Sequence, residues 1–371
     1  MTSTAVPSTI ERLLVDFHAG KFAALARAVS IVENHRKGWD ALLAAINPNL
    51  GRARRVGITG PPGAGKSTLT SLIARAYRTA GLRVGIVAVD PTSPFTGGAL
   101  LGDRIRMEEV ALDPGVFIRS MATRGSLGGL ATATREVCDV LDGFGVDIIL
   151  IETVGVGQSE LDVARAADTT VVVLVPESGD SIQTLKAGVM EIADVYAVNK
   201  ADRPGADRLR NDIELMLGLR AGATMKNIPA HHGINLSSMT DRDAMRDAMN
   251  PARAARNAAL SEAPESWTPP VLRTIAARNE GIDELIASLD RHYRYLVTSG
   301  GLRERRRRRL RERVMEIVEQ QLRQRLWHDA ETLAWLDAQL PALESGEVAP
   351  FGIADALRAR TGSLMTGGLP A

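Results

Sequence analysis

The chain has 371 residues, 45% of them hydrophobic and 24% charged, with 45 Lys and Arg against 44 Asp and Glu for a net charge of +1. That size and mixture support a buried core and exclude disordered, collagen-like and small-scaffold classes, while the balanced charge gives no general pull toward nucleic acid or a membrane. One cysteine, Cys138, rules out an intramolecular disulfide; with no basic-then-apolar leader and no apolar run near the ~18 residues of a membrane span, a cytoplasmic protein is expected.

Residues 8–47 carry two or three short helical patterns, with Leu13, Leu14 and Phe17, then Ala24, Leu25 and Val29, then Leu42, Leu43 and Ile46, so residues 1–49 read as an N-terminal helical segment. From Arg54 the period changes. Apolar, β-branched runs at 56–59, 84–89, 116–118, 148–151, 169–175, 195–198 and 271–274 alternate with longer helical stretches. Continuous apolar strands separated by helices predict an α/β domain over 50–296, with a mainly parallel sheet covered on both faces.

Directly after the first strand stands Gly60-Pro61-Pro62-Gly63-Ala64-Gly65-Lys66-Ser67-Thr68, which then opens a helix over 67–77. The Gly-x-x-x-x-Gly-Lys-Ser spacing is that of a phosphate loop. Its glycines let backbone N–H groups turn inward on a polyphosphate and the helix start adds partial positive charge. Lys66 can reach the β/γ oxygens, and the Ser67 hydroxyl can ligate Mg²⁺. The fourth strand ends in Glu152-Thr-Val-Gly155, where a carboxylate can hold Mg²⁺ through water and the Gly155 N–H can sense a γ-phosphate. Ras-like GTPases carry Asp at the acid position and a water-orienting Gln after the glycine. This chain has Glu152 and Val156, leaving Gln158 as the candidate substitute.

After the strand at 195–198 comes Asn199-Lys200-Ala201-Asp202. An aspartate in such a loop accepts from both the ring N–H and the exocyclic amine of guanine, whereas adenine offers it no matching donors; sites of this kind discriminate by up to ~10⁴ to 10⁵. Guanine is therefore expected over adenine. Residues 220–267, rich in Gly, Asn, Ser, Pro and His, read as an insertion. Beyond Gly300 and Gly301, a helix over 302–326 with a stripe of Leu310, Val314, Ile317, Leu322 and Leu326 needs a partner surface, so 297–371 reads as a C-terminal helical arm and tail.

Six ordered blocks together resemble the MeaB-type (ArgK) G-protein chaperones of adenosylcobalamin-dependent acyl-CoA mutases, P-loop GTPases of the SIMIBI class. They are Gly60 to Thr68; Val89-Asp90-Pro-Thr-Ser-Pro94 with Gly97 to Arg104; Met121 to Gly125; Glu152 to Glu160; Gly179 to Gly188; and Asn199 to Arg203. The resemblance spans nearly the whole chain. It implies a GTPase with GTP or GDP as ligand and Mg²⁺ as cofactor, which binds a B12-dependent mutase, gates loading of the cofactor from an adenosyltransferase, and protects or reactivates the enzyme. It further implies that Asp90 and Asp103 belong to the Mg²⁺-linked first switch, 152–158 to the second, and 177–186 to a third that answers to the mutase, with Lys186 as a candidate catalytic cation. A homodimer is also implied, the C-terminal arm being the dimerisation extension.

Where the family shows a Ser-Ala pair at the last guanine loop, this chain has Thr274-Ile275-Ala276-Ala277; Ile275, Ala276 and Ala277 are the expected contacts, the Ala276 N–H reaching toward the base oxygen. The run Arg303 to Arg313, eight arginines with two glutamates, reads as a solvated, ion-paired helix face, because no aromatic residues interleave for nucleic-acid stacking. His231-His232 makes a poor metal set, so no cobalamin site of its own is expected. Two other readings stay open, a P-loop ATPase or kinase acting on a transport protein and a nickel-insertion GTPase.

Overall fold

The computed structural model describes residues 7–91, 107–123, 129–153, 159–176, 191–220 and 267–360. The described residues divide into two compact units, one within residues 7–303 and one within residues 304–360.

In the first unit the strands are β1 (Arg54–Thr59), β2 (Val84–Pro91), β3 (Val116–Thr123), β4 (Ile148–Thr153), β5 (Thr169–Leu174), β6 (Val195–Val198) and β7 (Val271–Arg273). They form a single sheet in the order β3-β2-β4-β1-β5-β6-β7, every pairing parallel. The helices around it are α1 (Ser8–His18), α2 (Phe22–Glu33), α3 (Trp39–Ile46), α4 (Lys66–Thr79), α5 (Glu108–Ala111), α6 (Gly129–Phe144), α7 (Ser159–Ala166), α8 (Ala206–Arg220) and α9 (Ile282–Thr298).

The parallel arrangement follows from the strand sequences. β4 and β5 are buried at all six positions of each, as expected of central strands with helices on both faces. Alternation then sorts the side chains. Ile149 and Ile151 face a core shared with α1, α2, α3 and α6, while Ile148 and Leu150 face the core shared with α4 and α9. Phe17, Leu25, Leu42 and Ile46 are at most 1% exposed in the first of these cores. The N-terminal helices are thus a covering layer of the sheet, each such side chain contributing ~1.5–3 kcal/mol on burial.

Register is pinned by aspartates placed one residue ahead of strands. Asp147, before β4, accepts from Arg83 N–H at 2.7 Å; Asp168, before β5, accepts from Arg55 N–H at 3.1 Å; Asp194, before β6, accepts from Thr170 N–H at 2.9 Å. Each carboxylate therefore satisfies an edge donor on or just ahead of the neighbouring strand. Asp142 of α6 does the same for the approach to β1, accepting from Gly51, Arg52 and Ala53 N–H at 2.8, 3.0 and 2.9 Å.

The second unit holds most of α10 (Gly301–Trp327), with α11 (Ala330–Glu344) and α12 (Pro350–Arg360). Asp329 caps α11 by accepting from the Thr332 hydroxyl at 2.6 Å and N–H at 2.9 Å, bonds that hold its carboxyl below the usual range. α10 buries no residue: Leu310 and Val314 are 62% and 61% exposed, and Leu322 36%.

Candidate functional site

At the end of β1 the chain turns through Gly60, Gly63 and Gly65 with φ of 138°, 74° and 88°. Two of these glycines are also required by contact. A Cβ on Gly60 would lie 2.0 Å from Val173 O, and one on Gly65 2.3 Å from Asn199 Nδ2. α4 starts at Lys66, and no side chain caps its N-terminus, so the first-turn N–H groups remain available to an anion. Ala64 is buried beneath the loop, while Pro62 and Thr68 face solvent.

Lys66 is 4% exposed, and its ammonium donates to Gly60 O and Pro61 O, both at 2.9 Å. The cation therefore lies against the loop that would receive phosphates, not on an outer helix surface. The β1–β4 register places Ile58 beside Glu152, bringing the strand-end acid to the loop. Ser67 Oγ donates to Glu152 Oε1 at 2.5 Å, with both side chains buried. A hydroxyl and a carboxylate converging at a phosphate loop are hard oxygen donors of the kind Mg²⁺ takes, so these two residues fit that ion. Asp90 lies near the C-terminal end of β2, level with Ala122 of β3 at the same end of the sheet as Glu152. Asp103, Gly155, Gln158 and Lys186 lie outside the described residues.

The loop after β6 is organised by Asn199, 2% exposed at the end of that strand. Its Nδ2 donates to Ala64 O at 2.7 Å, while its Oδ1 accepts from Ala276 N–H at 3.1 Å and from the Thr274 hydroxyl at 3.2 Å. One side chain thus ties the phosphate loop to the loop after β7. Lys200 takes a left-handed φ of 55°, and Ala201 N–H donates to Thr274 O at 3.1 Å, which locks the loop carrying Asp202. The Ala276 N–H bonds Asn199 Oδ1. Ile275 is half-buried and Ala277 exposed, on and ahead of the short 3₁₀ turn Ala276–Arg278.

The sequence motif names Asn199 but not its partners, because Ala64 is 135 residues away and Thr274 is 75. Arg278 has no motif signal at all.

A parallel sheet with a phosphate loop after its first strand, an acid beside the loop serine and a guanine-type aspartate loop defines a P-loop GTPase. Residues 25–331 match the family described as Methylmalonyl Co-A mutase-associated GTPase MeaB, and the chain belongs to that family. A protein of Pyrococcus abyssi that carries a GTPase name is 46% identical over 309 residues, covering 83% of this chain and 84% of that one. The mouse methylmalonic aciduria type A homolog, a mitochondrial protein, is 31% identical over 366 residues, covering 94% and 78%. The crystal structure of a LAO/AO transport system kinase shares the fold at a TM-score of 0.62, with 24% identity over 96% of this chain and 98% of that one.

Proposed function

We propose that this GTPase serves an adenosylcobalamin-dependent acyl-CoA mutase, using GTP with Mg²⁺ to gate cofactor loading from an adenosyltransferase and to protect or reactivate the mutase. The observation that carries this reading is the match of residues 25–331 to a family described by its association with methylmalonyl-CoA mutase, on a chain whose site is arranged for guanine nucleotide. The name of the mouse relative points the same way. Mg²⁺, when bound, neutralises phosphate charge. The chain's own part is to position the phosphates with the 60–68 loop, to supply Ser67 and Glu152 as oxygen donors, and to select the base with Asp202. Asn199 supports a shared response of the two loops, since it bonds both. The ATPase or kinase reading is disfavoured by Asp202, a carboxylate acceptor to which adenine offers no matching donors.

Hydrolysis by the isolated protein should be slow, because Val156 stands where Ras-like GTPases keep their water-orienting glutamine. Ras-like proteins without help turn over at ~10⁻⁴ to 10⁻³ s⁻¹, and an added transition-state cation contributes ~10³ to 10⁵. In single-turnover assays the cognate mutase should accelerate GTP cleavage, and Lys186→Ala should respond less. A fast basal rate indifferent to the mutase would rule out partner activation.

The exposed stripe of α10 supports a homodimer built on the C-terminal arm. Sedimentation should give a dimer, and Val314→Glu with Leu322→Glu should dissociate or unfold it. A folded, fully active monomer lacking residues 300–371 would contradict that role.

A further inference from the structure

Asp202 has a neighbour that no motif assigns: Arg278 Nη2 lies 3.6 Å from Asp202 Oδ2, the closest ion pair Asp202 makes among the described residues. The two side chains come from different loops, one after β6 and one after β7. Those loops are already joined at the backbone, Thr274 N–H donating to Val198 O at 2.9 Å and Ala201 N–H to Thr274 O at 3.1 Å.

The base of Arg278 is fixed. Its N–H donates to Ile275 O at 2.9 Å, Asn279 N–H to Ala276 O at 3.2 Å, and Ile275 N–H to Glu280 O at 3.0 Å. The turn closes through left-handed Asn279 and Gly281, with φ of 58° and 74°, and a Cβ on Gly281 would lie 2.2 Å from Arg273 O. A long guanidinium arm thus leaves a rigid turn next to the carboxylate that selects the base. The Thr274 hydroxyl cannot share that task, since it is directed to Asn199 Oδ1.

In the open site the pair contributes little to folding, for the two side chains are 36% and 60% exposed and screened by water. Its effect grows when a base covers the carboxylate and lowers the local dielectric. Left alone, an aspartate carboxylate rotates broadly about χ2, whereas guanine recognition needs both oxygens facing two donors at once. We propose that Arg278 is a positioning residue for guanine: it arrests the Asp202 carboxylate as the base closes over it. This inference rests on the guanine reading of Asp202.

The test is calorimetric titration of the full-length protein with GDP and with inosine diphosphate, which lacks the exocyclic amine and so offers Asp202 a single donor. Arg278→Ala should weaken GDP about five-fold, as expected for a pair that becomes partly desolvated, and should narrow the GDP-to-inosine ratio. Arg278→Lys should recover part of both. In an Asp202→Ala background, Arg278→Ala should change nothing further. Equal losses for the two nucleotides, no loss at all, or additive losses in the double variant would overturn the role of Arg278 while leaving the guanine site standing. If Asp202→Ala alone binds GDP as the wild type does, the guanine reading and the inference fall together.

Discussion

Lys66→Ala is expected to lose most nucleotide affinity and nearly all hydrolysis while remaining folded. The ammonium is buried, and it donates to two carbonyls of its own loop, Gly60 O and Pro61 O at 2.9 Å. On nucleotide binding those bonds give way to phosphate oxygens, which carry formal charge and hold a cation more strongly than carbonyls do. Loss of a hydrogen bond to a charged group costs ~1.5–3 kcal/mol, so affinity should fall about ten- to hundred-fold. Hydrolysis should fall further, by ~10² to 10³, because developing charge on the transferred phosphoryl loses a preorganised donor. The fold should survive, since Lys66 opens α4, where alanine is a good helix former, and the core beneath is made by Leu69 and Ile73. Single-turnover hydrolysis, fluorescent nucleotide titration and a thermal melt together check this. Cleavage of GTP by the variant at the wild-type rate would remove the phosphate-loop assignment.

Asp202→Asn should give the largest change in selectivity. A carboxylate accepts from both guanine donors, whereas a carboxamide can accept through one atom only and offers the exocyclic amine a donor in place of an acceptor. Xanthine, with a carbonyl where guanine has its amine, suits the carboxamide better. The variant should therefore weaken GTP strongly, strengthen xanthosine triphosphate, and erase much of a discrimination that reaches ~10⁴ to 10⁵ in sites of this kind. The surrounding frame should persist, because Asn199, Thr274 and Ala201 tie the two loops without using the Asp202 carboxylate. Calorimetry of wild type and variant with GTP, xanthosine triphosphate and ATP is the measurement. Equal affinity of the wild type for ATP and GTP would sink the base assignment.

Much of the fold was legible because its signals are local. Strand runs at 56–59, 148–151 and 195–198 lie inside β1, β4 and β6 or coincide with them, since fully buried parallel strands read as continuous apolar segments. The phosphate loop was legible for the same reason: the backbone path through Gly60, Gly63 and Gly65 needs glycine torsions, and the spacing of those residues is covalent. The long helix expected over 302–326 is α10, Gly301–Trp327, whose exposed apolar stripe follows from spacing alone.

Tertiary structure decided what depends on residues far apart in the chain. The helices of the N-terminal segment complete the core over β2 and β4, a burial that depends on residues far away in the chain. The Ala276 N–H bonds Asn199, since a buried amide oxygen within reach has to be satisfied. By itself the sequence determined the elements, the phosphate loop and the choice of guanine, all set by local torsions and by the chemistry of single side chains. Only the tertiary structure brought Glu152 onto Ser67, Asn199 onto Ala64 and Arg278 beside Asp202. Strand order and loop packing, which bring these groups together, are settled by burial across the whole sheet and leave no trace in the spacing along the chain.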